Sequence, residues 1–437
     1  MRSYVFLLFF GGLLSASLVR PFVAALLWCW IAFMNPHREV WGAATGLPYA
    51  TLSFGAMVIA CVLAKEPKRF DANAVSILLI VLAALVTLSS ITGIGPREET
   101  WRLWERTMKT IVGALLVGSL LTTRERIHVM VWLMAISVGF YGVKGGIFTL
   151  NTGGGFIVVG PDATMIADRN HVAVAMLISV PLMNYLRMQS AHRVVQLGLI
   201  GAMGLTTLAA IGSQSRGALL ALAATAGVLW WRSRSKILSG IFIVACVAGV
   251  LAFMPDTWSS RMNTITTYEE DESAMGRVRI WKASWQLGLQ HPFTGTGFRA
   301  PYAQEIVDLV APGTVARAVH SIYFEVIGEH GFIAFFVWLA LTGAGAYYAW
   351  RVTRLTRGRP DLAWAGDLGR MVPVSIVAYL SGGAFLSLSY WDYYWTLLIV
   401  IAATHTTVMR TLTAESPRRA PSLVDGWRRP TAQGAAT

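Results

Sequence analysis

Long apolar stretches recur along almost the whole chain, separated by short polar connectors. Eleven of them approach the roughly 17 to 25 residues that a helix needs to cross the hydrocarbon core of a bilayer. They lie near residues 47–64, 73–90, 106–121, 127–143, 172–186, 194–211, 216–231, 237–254, 320–350, 371–388 and 391–408. A further apolar segment, 4–34, is interrupted by Arg20 and Pro21. The pattern predicts an all-α polytopic membrane protein with about 12 transmembrane helices.

The amino-acid composition supports a membrane protein and indicates which kinds of partner to expect. With 55% hydrophobic and 14% charged residues, the chain is unlike a soluble globular domain. Its net charge of +13 could indicate a nucleic-acid partner, but the lysines and arginines stand mainly in short loops between apolar stretches, as they do in membrane proteins. We therefore expect membrane lipids as partners and no nucleic acid. The three cysteines lie in apolar stretches and form no metal motif.

The basic connectors predict the orientation, because cytoplasmic loops of membrane proteins are rich in Lys and Arg. They are residues 65–70, 123–126, 187–193, 232–236, 351–360 and the tail after Met409. Counting back from the tail places residues 35–46 outside the cytoplasm. If the N-terminus is cytoplasmic, residues 4–34 cross once and both termini share that side. The alternative is thirteen crossings with an external N-terminus.

This orientation divides the chain into four parts. We expect residues 1–254 to form the N-terminal transmembrane helices and 255–319 a long outer loop with an interfacial amphipathic helix. Residues 320–408 would form the C-terminal transmembrane helices and 409–437 a disordered cytoplasmic tail. The other connectors are too short to be domains. We therefore expect the function to lie outside the cytoplasm.

One arginine, Arg216, stands between two apolar stretches on the predicted outer side, in "SQSRGALL". Ser213 or Ser215 can cap the following helix, which places Arg216 in its first turn. The helix dipole already makes that end positive, so a cation there calls for an anion. Free N–H groups and a guanidinium together suit a phosphate. The alternative is an arginine that extends to lipid headgroups.

The long loop contains "GRVRIWKASWQLGLQHPFTGTGF", residues 276–298. It predicts a helix with Trp281 and Trp285 on one face, followed by a turn. Its basic side chains, together with one just after the turn, suit phosphates at the membrane interface: Arg277, Arg279, Lys282 and Arg299. The alternative is an amphipathic helix that only lies on anionic lipid.

A histidine opens the next apolar stretch, in "HSIYFEVIGEHGF". His320 stands at the outer end of a predicted helix, where the dipole and nearby arginines disfavour the charged imidazolium. A neutral imidazole at ambient pH is what a general base needs. The alternative is a polar residue that caps the helix.

These segments, "SRGA", "GRVRIWKASW…HPFTGTGF" and "HSIYFEVIGEHG", resemble in order and spacing the O-antigen ligase family of bacterial inner membranes, which is related to the O-antigen polymerases. The motifs cover roughly residues 165–340. Residues 20–50 resemble the branch described as O-glycosylation ligases found with exosortase systems. The resemblance implies a glycosyltransferase that moves a glycan from undecaprenyl diphosphate to a sugar hydroxyl of lipid A-core at the periplasmic face. It implies no metal, cofactor or ATP.

The resemblance also implies site residues. The family's essential histidine corresponds to His320 and its essential arginine to Arg216. The loop arginines Arg277, Arg279 and Arg299 are candidates for binding the diphosphate. A segment before a span, "IADRNHVA", suggests Asp168 and Asn170 as pocket residues, with helix capping as the alternative for Asp168.

Other functions share parts of this pattern. A polymerase of repeat units or a protein O-glycosylation ligase would use the same donor site and differ in the acceptor. A non-catalytic transporter of a lipid-linked glycan belongs to another class. Such a transporter would carry paired charges or broken helices in the middle of the membrane. The sequence shows no clear inverted repeat, and its unusual charges cluster at one surface.

Overall fold

The computed structural model describes residues 2–233, 235–263 and 272–415, and this part of the chain is helical without strands. Its helices are α1 (Arg2–Val19), α2 (Pro21–Met34), α3 (Tyr49–Leu63), α4 (Ala74–Thr92), α5 (Arg97–Leu120), α6 (Arg124–Asn151), α7 (Arg169–Gln189), α8 (Arg193–Gly212), α9 (Arg216–Arg232), α10 (Lys236–Phe253), α11 (Asp256–Asn263), α12 (Glu272–Gln290), α13 (Gln304–Val310), α14 (Ile322–Leu355), α15 (Ala363–Gly383) and α16 (Asp392–Glu415). Four short 3-10 turns are Pro36–Arg38, Gly42–Ala44, Ala300–Tyr302 and Pro360–Leu362.

The chain is a multi-pass membrane protein. Eight helices of the described part are long and apolar enough to cross a membrane: α1, α4, α6, α7, α8, α10, α14 and α16. Two shorter apolar helices, α2 and α3, accompany them. Helix α5 is less apolar than these eight because its first turns are charged. Helix α9 is shorter, with 17 residues.

The connectors gather at two ends of the helical layer. At one end, which we call the loop end, hydrogen bonds join connectors distant in sequence: Gly95 N to Thr296 O (2.8 Å), Val158 N to Gly212 O (3.2 Å) and His320 N to Ser387 Oγ (3.1 Å). At the other end, the basic end, the equivalent bonds are Arg69 N to Ser119 O (2.9 Å), Arg410 to Asp71 (2.6 Å) and Arg359 to Glu415 (2.8 Å). The predicted basic connectors therefore share one end, and the long loop lies at the other.

The first apolar segment is two helices and not one crossing. Arg20, in extended conformation, separates α1 from α2, and Pro21 opens α2, where a missing N–H is tolerated. The two helices are antiparallel, because the start of α1 lies beside the end of α2: Ser3 Oγ donates to Trp41 O, and the Phe6 ring centroid is 6.1 Å from that of Trp30. A single continuous crossing by residues 4–34 does not fit this antiparallel packing, and the side of the membrane on which each terminus lies stays a prediction. The packing agrees with the thirteen-segment alternative.

The core lies among α7, α15 and α16, which are buried along most of their length. By contrast, α10 buries none of its side chains in the protein and presents an apolar surface all round. The C-terminal helix α16 extends to Glu415, so residues 409–415 are helical and do not belong to a disordered tail. Residues 416–437 of that predicted tail lie outside the described residues.

The long loop is tied to α14 where that helix breaks. At Gly331 the backbone leaves helical geometry, with φ 77° and ψ −178°. The segment 291–297 enters the gap: Phe332 N donates to Pro292 O (3.0 Å), and Gly297 N donates to Glu329 O (2.8 Å). A Cβ atom at position 331 would stand 2.7 Å from His291 O. Glycine is required both by this contact and by the positive φ.

Candidate active site

The turn before α9 places Arg216 at the loop end. Gln214 has a left-handed backbone (φ 54°), which reverses the chain. Ser215 is the N-cap, and its side chain accepts a hydrogen bond from Ala218 N at 3.1 Å. Arg216 is therefore the first residue of α9 and is partly buried, as the serine-rich turn predicts. Ser213, the other candidate cap, instead donates to Ala210 O at 2.6 Å.

His320 stands just before α14, in a left-handed conformation with φ 49°. Its backbone N donates to Ser387 Oγ at 3.1 Å, which fixes it against the α15–α16 connector. Burial, followed by the positive charge of Arg277, lowers the pKa of His320 to about 4. The ring is therefore neutral at ambient pH and can accept a proton, as a general base must.

Helix α12 carries Arg277 to this histidine. Trp281, one turn further along α12, donates from Nε1 to Val319 O at 2.7 Å. Its ring stacks on Phe324, with centroids 5.3 Å apart. This anchor holds the face of α12 that bears Arg277 towards His320, because residues four apart share a helix face. Arg317 packs against the same helix at Gly276 and also acts on the His320 charge.

The N-terminus of α9 reaches the same place through Phe385. A Cβ atom at Gly217, next to Arg216, would lie 3.4 Å from Phe385 Cβ. The Phe385 ring lies 6.0 Å from that of Trp281. Trp281 is hydrogen-bonded to Val319, the residue before His320. The start of α9, helix α12 and the start of α14 therefore lie around the α15–α16 connector, which contains Phe385. The structure thus places Arg277 close to His320, and it places the start of α9, with Arg216, in the same group of contacts at the loop end through Phe385.

Asp168 and Asn170 open α7 beside this site. Asp168 is the N-cap: its Oδ1 accepts from Asn170 N and from Asn170 Nδ2, both at 2.8 Å, and lies 3.2 Å from His171 Nδ1. Burial alone raises the pKa of Asp168, but the hydrogen bonds from His171 and Asn170 outweigh burial and hold the pKa below its usual range. The charges of Asp168 and His171 both act on His320. His171 was missed from sequence, although its spacing from Asp168 places both in one helical turn.

Arg299 lies in a neighbouring buried cluster. Its backbone is left-handed (φ 62°), and its guanidinium lies 4.1 Å from the ring centroid of Tyr302. Its backbone N donates to Glu329 Oε1 at 2.9 Å. Glu325 and Glu329, one turn apart on α14 and both buried, form what we call the carboxylate pair. Their charges act on the Arg299 guanidinium.

The carboxylate pair is connected to His320 by hydrogen bonds. The Tyr302 hydroxyl donates to Glu325 Oε1 at 3.1 Å and lies 3.3 Å from Ser387 Oγ, which also accepts from His320 N. The sequence analysis did not select Glu325 or Glu329. The signal that could have found them is two carboxylates four residues apart in an otherwise apolar helix, since such residues in membrane segments are rarely without a role.

Arg279 is placed differently from the other loop arginines. It lies two residues after Arg277 and therefore on another face of α12. Its side chain is 47% exposed and pairs with Glu272, which is 85% exposed. The structure does not bring Arg279 into the group of contacts around His320. Within the described ranges, no group of three or more His, Cys, Asp and Glu side chains is arranged to hold a metal ion.

Comparison with known families divides the chain near its middle. Residues 201–339 match the model of the family described as O-antigen ligase. This segment contains Arg216, Arg277, Arg299 and His320. Residues 1–191, which contain Asp168 and Asn170, match a family of unknown function (DUF5935). No individually curated protein matches the chain.

Proposed function

Because the chain belongs to the O-antigen ligase family through residues 201–339, we propose that it transfers a glycan from undecaprenyl diphosphate to a sugar hydroxyl of lipid A-core. The reaction takes place at the periplasmic face of the bacterial inner membrane, which is the loop end. The observation that carries the proposal is that Arg277 lies close to a neutral His320 at that end, with the start of α9 and Arg216 in the same group of contacts. A phosphate-binding group and a base are the two functions that this transfer needs.

The proposed reaction is a single displacement. The acceptor hydroxyl oxygen attacks the anomeric carbon of the donor sugar, and the bond from that carbon to the diphosphate oxygen breaks. The bonding electron pair leaves with the diphosphate, and the hydroxyl proton passes to the His320 imidazole. Attack from the face opposite the leaving group inverts the anomeric configuration.

The cations stabilise the leaving group. Negative charge grows on the diphosphate as its bond to the sugar breaks, and fixed positive groups stabilise that charge most where water is excluded. Arg216 adds its guanidinium to the positive end of the α9 dipole. Arg277 supplies the second charge from α12. These groups allow a metal-independent reaction without a cofactor.

The remaining candidate residues take supporting roles in this proposal. Asp168, held by Asn170 and His171, offsets part of the positive charge around His320. Arg299 belongs to the substrate-binding wall through Tyr302, which shares Ser387 with His320. Arg279 lies on an exposed face, and we assign it at most a weak long-range attraction of the anionic donor.

The decisive test is transfer of a diphosphate-linked glycan to purified lipid A-core in detergent, with a chelator present. We expect the native chain to transfer the glycan, and His320→Ala and Arg216→Ala to lose transfer while keeping their thermal unfolding temperatures. His192→Ala and Arg193→Ala are matched controls, since both residues are exposed and stand at the basic end. They should keep native rates.

Each result has a direct reading. Unchanged transfer by His320→Ala or Arg216→Ala would remove that residue from the mechanism, and loss caused by the chelator would refute the metal-independent reaction. If the glycan appears on protein or on longer lipid-linked chains and not on lipid A-core, the enzyme is an O-glycosylation ligase or a polymerase that uses the same donor site. Movement of the donor across vesicles without transfer to any acceptor would indicate a transporter.

A further inference from the structure

A polar cavity of about 410 Å³ opens at the loop end, outside the segment that matches the O-antigen ligase family. It lies between α2, α3 and α5, in the N-terminal half of the chain. Ala163, Met165 and the first residue of α16 complete its wall. We call it the basic cavity, after the cations that line it: Arg38, Arg102, Arg106 and Lys109.

Three of the cations that line the cavity lie on α5. Arg102, Arg106 and Lys109 follow one another at spacings of four and three residues, which place them on one face of the helix. At about 1.5 Å per residue, they extend roughly 7 to 18 Å along α5 from its first residue. Like charges at these spacings repel one another, so a row of cations of this kind is favoured where it faces an anion.

The charges of the basic cavity are not balanced from within. Four cations line it together with two carboxylates, those of Glu105 and Asp392. The pairs Arg102–Glu99 and Lys109–Glu105 are open to solvent, with 36% to 68% of each side chain exposed, and such pairs contribute little, so an anion can displace them. The Arg106 charge acts on Asp392, which leaves more cations than carboxylates in the wall. Within the described residues, Arg38 forms no ion pair. The cavity therefore carries net positive charge that an anionic ligand can neutralise.

The opposite wall is apolar. The Trp28 indole packs on α5 at Gly113, where an added Cβ atom would lie 2.4 Å from the ring, and Phe54 stands 6.3 Å from Trp28 between ring centroids. Burial, followed by the charge of Arg38, lowers the pKa of His37 to about 4, so this residue adds a neutral polar group. A small inorganic anion would make no favourable contact with the apolar wall. A lipid headgroup, with acyl chains attached, fits both walls.

The basic cavity also adjoins the candidate active site. Ala163 and Met165, which line it, belong to the connector that ends at Asp168, whose charge acts on His320. We propose that the basic cavity binds the phosphate-bearing headgroup of the lipid acceptor and so presents the acceptor hydroxyl to His320. The assignment to the acceptor rests on the proposed function.

Binding can be tested separately from transfer. The probes are phosphorylated lipid A, the same lipid after enzymatic removal of its phosphates, and inorganic phosphate, each titrated into the full-length chain in neutral detergent. The variant is Arg38→Gln with Arg106→Gln. The control is Lys65→Gln with Arg193→Gln, which removes two exposed cations from the basic end.

We expect the native chain and the control to bind phosphorylated lipid A alike, and the Arg38/Arg106 variant to bind it at least about tenfold more weakly, since each charge-assisted hydrogen bond is strong. Dephosphorylated lipid A should bind to the native chain as weakly as phosphorylated lipid A binds to the Arg38/Arg106 variant. Equal binding of the two lipids, or unchanged binding by the variant, would overturn the proposal. Displacement of the lipid by equimolar inorganic phosphate would also overturn it, because the site would then be a plain anion site.

Transfer kinetics test the role of the cavity in the reaction. The Arg38/Arg106 variant should raise the acceptor KM about tenfold and leave kcat and the donor KM within about twofold. His320→Ala should show the reverse, with lipid binding kept and kcat lost. If the variant lowers kcat and leaves the acceptor KM unchanged, the acceptor role is wrong. If the native chain transfers nothing, the proposed function fails, and the binding comparison still decides whether the basic cavity holds a phosphorylated headgroup.

Discussion

The low pKa of His320 predicts how the rate of glycan transfer depends on pH. A general base works in its neutral form, and burial together with Arg277 lowers the pKa of this histidine to about 4. This pKa is that of the free enzyme, so it governs kcat/KM for the donor. We therefore expect this kcat/KM, measured at saturating acceptor and subsaturating donor, to stay nearly constant from pH 8 down to pH 5. An unperturbed histidine, with a pKa of about 6.5, would already have lost most of its activity there.

The difference is large enough to measure. At pH 5 a histidine of pKa 4 is about 90% neutral, whereas one of pKa 6.5 is about 3% neutral, so the two rates differ by roughly thirtyfold. Replacing Arg277 with Gln removes the second-largest cause of the lowering and should move the acid limb towards higher pH. Because burial is the largest cause, the limb should stay below pH 6.5. The donor diphosphate diester does not titrate in this range and cannot produce the limb.

The assay is single-turnover transfer of a labelled glycan in detergent at half-unit steps from pH 4.5 to 8. The folded fraction must be checked at each pH. Below pH 6.5 the unfolded chain gains a proton on His320 that the folded chain does not, so this group lowers the stability as pH falls, by about 2 kcal/mol at pH 5. An acid limb near pH 6.5 in folded native protein would refute the reasoning. So would an identical profile in Arg277→Gln.

Three further predictions concern the break in α14, the carboxylate pair and Arg279. Gly331→Ala should lower the unfolding temperature, since the positive φ and a 2.7 Å contact together cost about 1 to 3 kcal/mol or more. Gly343→Ala, in open space on the same helix, should raise the unfolding temperature slightly, and equal temperatures for the two variants would contradict the break in α14. Glu329→Ala should cost about 2 to 4 kcal/mol, because it leaves Arg299 N unpaired in the interior, and Glu329→Gln should recover part of that stability in thermal unfolding. Arg279→Ala should change kcat/KM by less than about twofold at moderate salt, and a tenfold loss would place this exposed side chain in the site.

Much of the fold follows from the apolar pattern alone. The predicted stretches 216–231 and 237–254 differ from α9 and α10 by only one residue at any end. The structure differs from the predicted single segment in residues 4–34, where the apolar pattern is almost continuous and a single residue, Arg20, separates two antiparallel helices. Hydropathy measures how long an apolar segment is, but it does not record a reversal of the chain. That reversal depends on the packing of Phe6 against Trp30 and Tyr49.

The site is predictable in part, for a similar reason. The serine-rich turn before Arg216 is a local signal, and the cap that it predicts is formed by Ser215. The approach of Arg277 to His320 is not local, because it depends on Trp281 bonding across 38 residues to Val319. A linear pattern can therefore suggest which residue types carry the chemistry. Which of several arginines faces the base is decided by tertiary packing.

The carboxylate pair beside the site invites a catalytic assignment, and its contacts argue against one. All four carboxylate oxygens already accept a hydrogen bond: those of Glu325 from the Tyr302 hydroxyl (3.1 Å) and Ser389 Oγ (2.6 Å), and those of Glu329 from Arg299 N (2.9 Å) and the Tyr390 hydroxyl (3.0 Å). Buried polar groups satisfied in this way hold their partners rigidly. Because the Tyr302 hydroxyl also meets Ser387, which fixes the His320 backbone, we infer that the pair positions the base and does not itself exchange protons with the substrate.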